Sequence, residues 1–163
     1  MSQDAQPLAL ETLRLRLALE STESVLARID ALSPDDRAQV SPEWLERMRH
    51  SSPTPWTHGF AIVERASGSS IGSCAFKGPP DNDGIVEIAY GIDADHRGRG
   101  YAKEAASALV EFALGAGVRV VRAHTLHENG ASARVLTSCG FASVGEVVDP
   151  EDGRVVRWEL LGH

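Results

Sequence analysis

The run Ile92-Asp93-Ala94-Asp95-His96-Arg97-Gly98-Arg99-Gly100-Tyr101-Ala102 carries the densest chemical information in this chain of 163 residues. Small residues at 98, 100 and 102 let a ligand approach the backbone, and glycine tolerates the positive φ that such a turn needs. An apolar-periodic segment follows, so the run opens a helix, whose first N–H groups and positive dipole end form an anion site. Arg97 and Arg99 add positive charge. The ligand expected here carries phosphate. The P-loop pattern GxxxxGK[ST] is absent. A dinucleotide fingerprint fails as well, because position 103 is Lys and the apolar Val120-Val121 stands about 20 residues on, where an acid should be. What remains is Arg97-x-x-Gly100-x-Ala102, which reads either as another kind of phosphate loop or as a Gly-rich helix entry without a ligand.

Glu87 is the second residue of interest. In Val86-Glu87-Ile88-Ala89-Tyr90-Gly91-Ile92, alternation puts Val86, Ile88, Tyr90 and Ile92 on one face and Glu87 with Ala89 and Gly91 on the other. A carboxylate beside small residues on a central strand suggests a ligand cavity, against the plainer reading of a salt-bridged surface charge. A bulge in this strand would reverse the faces. His124 and His127 are three apart on a strand and point to opposite faces, so they do not chelate one metal ion. No metal site is expected. Cys74 and Cys139 are too few for a disulfide scaffold and too far apart for a CxxC pair. Trp44 and Trp56 flank the Pro-rich connection and read equally as pocket lining or core packing.

These residues need elements to hold them. Leu13-Arg14-Leu15-Arg16-Leu17 alternates as a half-buried strand. Ser21-Thr22 and Ser41-Pro42-Glu43 open two helices, the second ended by Pro53 and Pro55. Three strands follow, Phe60–Val63, Ile71–Phe76 and Ile85–Ile92, on loops short enough for an antiparallel meander. From Arg99 to Leu114 the period becomes helical, with Ala102, Ala105, Ala106, Leu109 and Ala113 on one face. Gly115 and Gly117 stop that helix, and Val118–Leu126 is a strand, so the unit should be a parallel crossover. Asn129 caps a short helix to about Cys139. Strands Phe141–Val148 and Arg154–Leu161 close the chain. The fold class expected is α+β (mixed α/β), one domain over 1–163, with a mostly antiparallel sheet and one parallel pair.

Composition agrees. Sixteen Lys+Arg against 23 Asp+Glu give a net charge of −7, and hydrophobic residues make up 42%. The acidic balance argues against a nucleic-acid partner and suits a cationic one such as an amine. No apolar run is long enough to span a membrane, and Met1-Ser2-Gln3-Asp4 lacks a basic n-region, so a cytoplasmic protein is expected.

The loop Arg97-x-x-Gly100-x-Ala102, after a strand and opening a helix, resembles the acetyl-CoA pyrophosphate loop of the GNAT N-acetyltransferases. Asn129-x-x-Ser132-x-x-Val135-Leu136-x-x-x-Gly140-Phe141 resembles their second cofactor motif, and Glu11-Thr12-Leu13-Arg14-Leu15-Arg16 is similar to the opening of the RimJ/RimL-type branch. The resemblance covers nearly the whole chain. It implies an acetyl-CoA-dependent N-acetyltransferase with the GNAT fold. The cofactor arm would lie in a splayed cleft between the strand ending at Ile92 and the strand Val118–Leu126. Backbone near Ile92, the loop Arg97, Gly98, Arg99, Gly100, Tyr101 and Ala102, and Asn129 would bind it. Asn129 also reads as a plain helix cap.

Under that resemblance Glu87 becomes the general base, taking a proton from the ammonium before its nitrogen attacks the thioester. Many members of the family carry a Tyr on the last helix that protonates the departing thiolate. Here Leu136 stands at that position and cannot donate. Ser132 is the nearest alternative acid, and solvent is another. The implied acceptor is a primary amine, either a protein N-terminus or a small molecule (polyamine, amino acid or antibiotic), and a homodimer is open. The departure at Leu136 also leaves room for a CoA-binding module without turnover.

Overall fold

The computed structural model describes residues 9–127, 129–150 and 153–162. A short strand β1 (Ala9–Glu11) leads to β2 (Leu15–Leu19), whose Leu15 and Leu17 are fully buried. The leucine alternation predicts a strand from Leu13, yet Leu13 is 88% exposed. It sits in the turn between β1 and β2, where the Thr12 N–H donates to the Leu15 carbonyl and the Thr12 hydroxyl oxygen accepts from the Leu15 N–H. The buried stripe therefore starts two residues later.

Three helices follow: α1 (Thr22–Asp30), α2 (Pro34–Ala38) and α3 (Pro42–Arg49). Ser21 and Ser41 cap α1 and α3 by accepting from the Ser24 and Trp44 N–H groups. Helix α2 is an addition to the expected set. Its Ser33-Pro34-Asp35-Asp36 start has the same serine cap, proline and early acids that announce α3.

Strands β3 (Phe60–Glu64), β4 (Ser70–Phe76) and β5 (Ile85–Ile92) form the antiparallel meander. Helix α4 (Tyr101–Gly115) then crosses to β6 (Val120–Thr125), shorter than the apolar run 118–126 suggested. Helix α5 (Gly130–Ser138), β7 (Ala142–Asp149) and β8 (Gly153–Leu161) complete one sheet in the order β1-β2-β3-β4-β5-β6-β8-β7. Every neighbouring pair is antiparallel except β5–β6.

Helix α4 buries Ala105, Ala106, Leu109 and Ala113 in the same core as Val86 and Ile88 of β5 and Val121 of β6. Small residues on that stripe let helix and sheet approach closely, and truncating Leu109 would cost about 2–5 kcal/mol. Trp56 belongs to this packing, with its ring centroid 4.7 Å from Phe76 and 5.3 Å from Phe112.

The feature that shapes the site is where pairing stops. The β5–β6 ladder holds Ile85–Val120, Val86–Val121 and Glu87–Arg122. Beyond Glu87 the two strands part, and Ile88–Ile92 have no β6 partner among the described residues. On the other side, β5 stays in register with β4 through Ile92 without a shift, so alternation holds and Glu87 and Tyr90 point to opposite faces. The fork opens as a gap through the sheet.

Candidate active site

One wall of the gap is the loop after β5. A single 3-10 turn, Ala94–His96, reverses the chain, and Gly98 and Gly100 follow at φ 78° and 84°. Both values lie in the left-handed region that a side chain strains. Gly100 is the N-cap residue of α4 and makes no side-chain cap, so the first N–H groups of the helix are not spent on a capping side chain.

A cleft of about 600 Å³ opens on this helix start. Ile92, Arg97, Gly98, Gly100, Tyr101, Ala102, Asn129 and Ser132 all line it, with Tyr90, His96, Lys103 and Arg134. Two segments more than 25 residues apart thus line one cleft. Arg99 is outside this lining, and its guanidinium reaches back to the Asp95 carbonyl at 3.4 Å. Glu87 is outside it too, on the other face of β5. The Ile92 carbonyl is engaged by Arg97 Nε at 2.8 Å.

The cleft fits a phosphorylated ligand. Gly91 and Gly98 leave open space, Lys103 and Arg134 supply charge, and His96 Nδ1 is buried with no hydrogen-bond partner among the described residues. A larger groove, about 880 Å³, runs between the β1–β2 turn and α4. Its walls carry Glu11, Glu104 and Glu111 against Arg14 and Lys103, a net negative lining that suits phosphate less well.

The loop is braced from behind. Arg14 donates from Nε to Glu104 at 2.8 Å and from Nη1 to the Arg99 carbonyl at 2.9 Å, and its guanidinium lies 4.4 Å from the Tyr101 ring centroid. Burial opposes ionisation of Glu104. The hydrogen bonds from Thr12 and from the Arg14 backbone and side chain outweigh it and hold its carboxyl below the usual range. The Tyr101 hydroxyl donates to Glu64 at 2.5 Å, which raises the phenol's pKa and lowers that of Glu64. Tyr101 is therefore turned into the protein, leaving its backbone to the loop. Neither Arg14 nor Glu104 is evident as a site residue in the sequence, because they lie 90 positions apart.

On the face of the Arg97–Ala102 loop, Asn129 Oδ1 accepts from the Ser132 N–H at 3.1 Å and caps α5. The amide NH2 takes no part in that cap, and Asn129 lines the cleft. Ser132 Oγ lies 3.0 Å from the Tyr90 hydroxyl. Burial raises the Tyr90 pKa, against the opposing hydrogen bond from Ser132, so the phenol stays protonated at neutral pH. Leu136 is fully buried. Cys139 packs on α4, its sulfur 3.4 Å from Ser107 Oγ. Burial pushes the Cys74 thiol up to about 12, which leaves it inert.

On the opposite face, Glu87 Oε2 lies 2.9 Å from His124 Nδ1 and 3.2 Å from Lys77 Nζ. His127 pairs instead with Glu146, so the two histidines serve different partners. A cavity of about 520 Å³ lies on the sheet where α1 and α3 cover it, lined by Glu20, Arg28, Trp44, His58, Ala89 and Gly91 among others. Trp44 thus lines a pocket, whereas Trp56 packs in the core. His58 is 3% exposed, with its ring nitrogens at 2.8 Å from Thr22 Oγ1 and 2.7 Å from Thr57 Oγ1, and burial lowers its pKa.

Residues 7–142 match the family described as acetyltransferase (GNAT) domain. Among curated proteins, the uncharacterized N-acetyltransferase YjdG of Bacillus subtilis (strain 168) is 30% identical over 107 residues. That match spans 65% of this chain and 64% of the relative, just under two thirds of its length. Among solved structures, RimL, a ribosomal-protein α-N-acetyltransferase in complex with coenzyme A, superposes with a TM-score of 0.71 at 14% identity, covering 94% of this chain and 98% of that one. A chimera of the spermidine N-acetyltransferase SpeG from Vibrio cholerae superposes with a TM-score of 0.69 at 17% identity, covering 91% and 95%. At these identities the two structures bear on the fold. No helix among the described residues is long and apolar enough to cross a membrane.

Proposed function

Because the chain belongs to the GNAT acetyltransferase family, we propose that it moves an acetyl group from acetyl-CoA to a primary amine by direct attack, as a cytoplasmic N-acetyltransferase. The observation that carries this reading is the fork between β5 and β6, with a phosphate-type cleft on one face and Glu87 at its apex on the other. The two reactants can then meet through the gap from opposite sides of the sheet.

The chain's residues divide the work. Gly98, Gly100 and the first N–H groups of α4 hold the pyrophosphate, with Arg97, Lys103, Arg134 and the Asn129 amide around it. Acetyl-CoA, as cosubstrate, supplies the activated acyl group. Glu87 takes the proton from the incoming ammonium, which frees the nitrogen lone pair. Tyr90 and Ser132 stand on the side where the thiolate departs. Most of the rate gain comes from holding the two reactants in line.

The acceptor is a protein N-terminus under the RimJ/RimL-type reading. A small amine is the second reading, favoured by the pocket of about 520 Å³ beside Trp44, whose lining includes the Glu20 carboxylate. The test is release of free thiol from acetyl-CoA across a panel of peptides and small amines. Release above the hydrolysis blank identifies the class of acceptor. Tight acetyl-CoA binding without release by any amine would reduce the protein to a CoA-binding module.

A further inference from the structure

The proposed reaction gives His124 no part, yet its side chain is only 10% exposed and both ring nitrogens are engaged. Nδ1 lies 2.9 Å from Glu87 Oε2, and Nε2 accepts from Arg157 Nε at 3.1 Å. A guanidinium has donors and no acceptor, so Nε2 must present its lone pair. The ring proton then sits on Nδ1 and donates to Glu87. The hydrogen-bond chain runs Arg157 to His124 to Glu87, from β8 through β6 to β5. It crosses the gap just beyond the last β5–β6 pair, Glu87–Arg122. Lys77 reaches the same carboxylate oxygen from the end of β4, and Arg122 beside it is bonded to Glu159. Both contacts on Glu87 fall on Oε2, and Oε1 carries no hydrogen bond among the described residues.

We propose that His124, locked in one tautomer by Arg157, is a positioning residue for the acetyl transfer. It ties the Glu87 carboxylate to the far strand of the fork, so that Oε1 is the oxygen that takes the amine's proton. The inference rests on the acetyl-transfer reading above. An untethered glutamate side chain samples several rotamers, and a misplacement of about 1 Å at a reacting group can cost about a hundredfold in rate.

Two measurements test it. Nitrogen NMR of the imidazole at pH 8 should show Nδ1 protonated and Nε2 bare, and the Nε2-protonated ring would overturn the proposal whatever the activity. In the thiol-release assay, His124→Phe should lower kcat by about 10–100-fold, with the KM for acetyl-CoA and the melting temperature preserved. His124→Asn, which can offer an N–H to Oε2, should recover most of that loss. The double variant with Glu87→Gln should be no worse than Glu87→Gln alone, because the histidine acts through that carboxylate. Wild-type kcat in His124→Phe beside a damaged Glu87→Gln overturns this proposal alone. A silent Glu87→Gln overturns the general-base reading and this proposal with it.

Discussion

The Tyr90 hydroxyl lies 3.0 Å from Ser132 Oγ, on the face of β5 opposite Glu87. A strand residue and a helix residue 42 positions apart thus meet where Leu136, buried in the core, offers nothing. Tyr90→Phe should lower kcat by about 10–100-fold with acetyl-CoA binding kept, the size expected for loss of a positioned proton donor. Ser132→Ala should cost only a few-fold and leave the melting temperature nearly unchanged, since Asn129 and the Ser132 backbone make the cap. Steady-state kinetics and thermal melts on both variants check this. Unchanged kcat in Tyr90→Phe would assign the proton to solvent.

Acetyl-CoA at about 100 times its dissociation constant should stabilise the fold by roughly 2.7 kcal/mol, visible as a rise in melting temperature. Gly100→Val should abolish that rise. A branched side chain there is strained at φ 84°, and its Cβ would come 3.3 Å from the Arg14 guanidinium. A folded variant with an undiminished shift would place the phosphate elsewhere.

Arg14→Ala should weaken acetyl-CoA binding by about tenfold, roughly 1.4 kcal/mol, without touching the ligand, by releasing the Arg99 carbonyl and the Tyr101 ring together. Lysine should not restore it, because an ammonium can neither fork between Glu104 and a carbonyl nor stack in the same way. Isothermal titration of the two variants decides the point.

Glu87→Gln keeps the shape and removes the basicity, so turnover should fall by roughly 10²–10⁴-fold while acetyl-CoA affinity stays. The deficit should narrow as pH rises, since more acceptor amine is then already deprotonated. A pH–rate profile of both proteins reads this directly. A deficit constant from neutral pH to pH 10 counts against the general-base role.

Stability should fall on acidification through His58. Burial lowers its folded pKa below the ordinary 6.5. Below about pH 6.5 the unfolded chain binds a proton that the folded one refuses, and unfolding gains with each further drop. Above that pH the contribution is complete. Thermal melts from pH 8 to 5 should therefore show a steeper decline for the wild type than for His58→Gln. Parallel curves would remove His58 from the acid response.

Much of this protein is readable from local pattern. The leucines of β2, the alternation of β5 and the alanine stripe of α4 are periodic within one element, so sequence alone determines which residues are buried there. The loop Arg97-x-x-Gly100-x-Ala102 and the Asn129 cap are likewise contiguous, and their chemistry travels with the segment. The start of β2 and helix α2 show the limit even of local reading, because competing turn and cap signals lie within a few residues.

Tertiary structure alone decided the rest. Alternation says that Glu87 and Tyr90 face opposite ways, but not which strand lies beside β5 or where that pairing ends. The ladder stops at Glu87–Arg122, and only this makes Glu87 the apex of a gap rather than one more surface carboxylate. The sheet order brings β8 beside β6, which hands His124 its arginine and turns an apparently idle histidine toward Glu87. Arg14 reaches α4 across 90 residues for the same reason. Such contacts depend on chain closure over long separations, and no residue spacing encodes them.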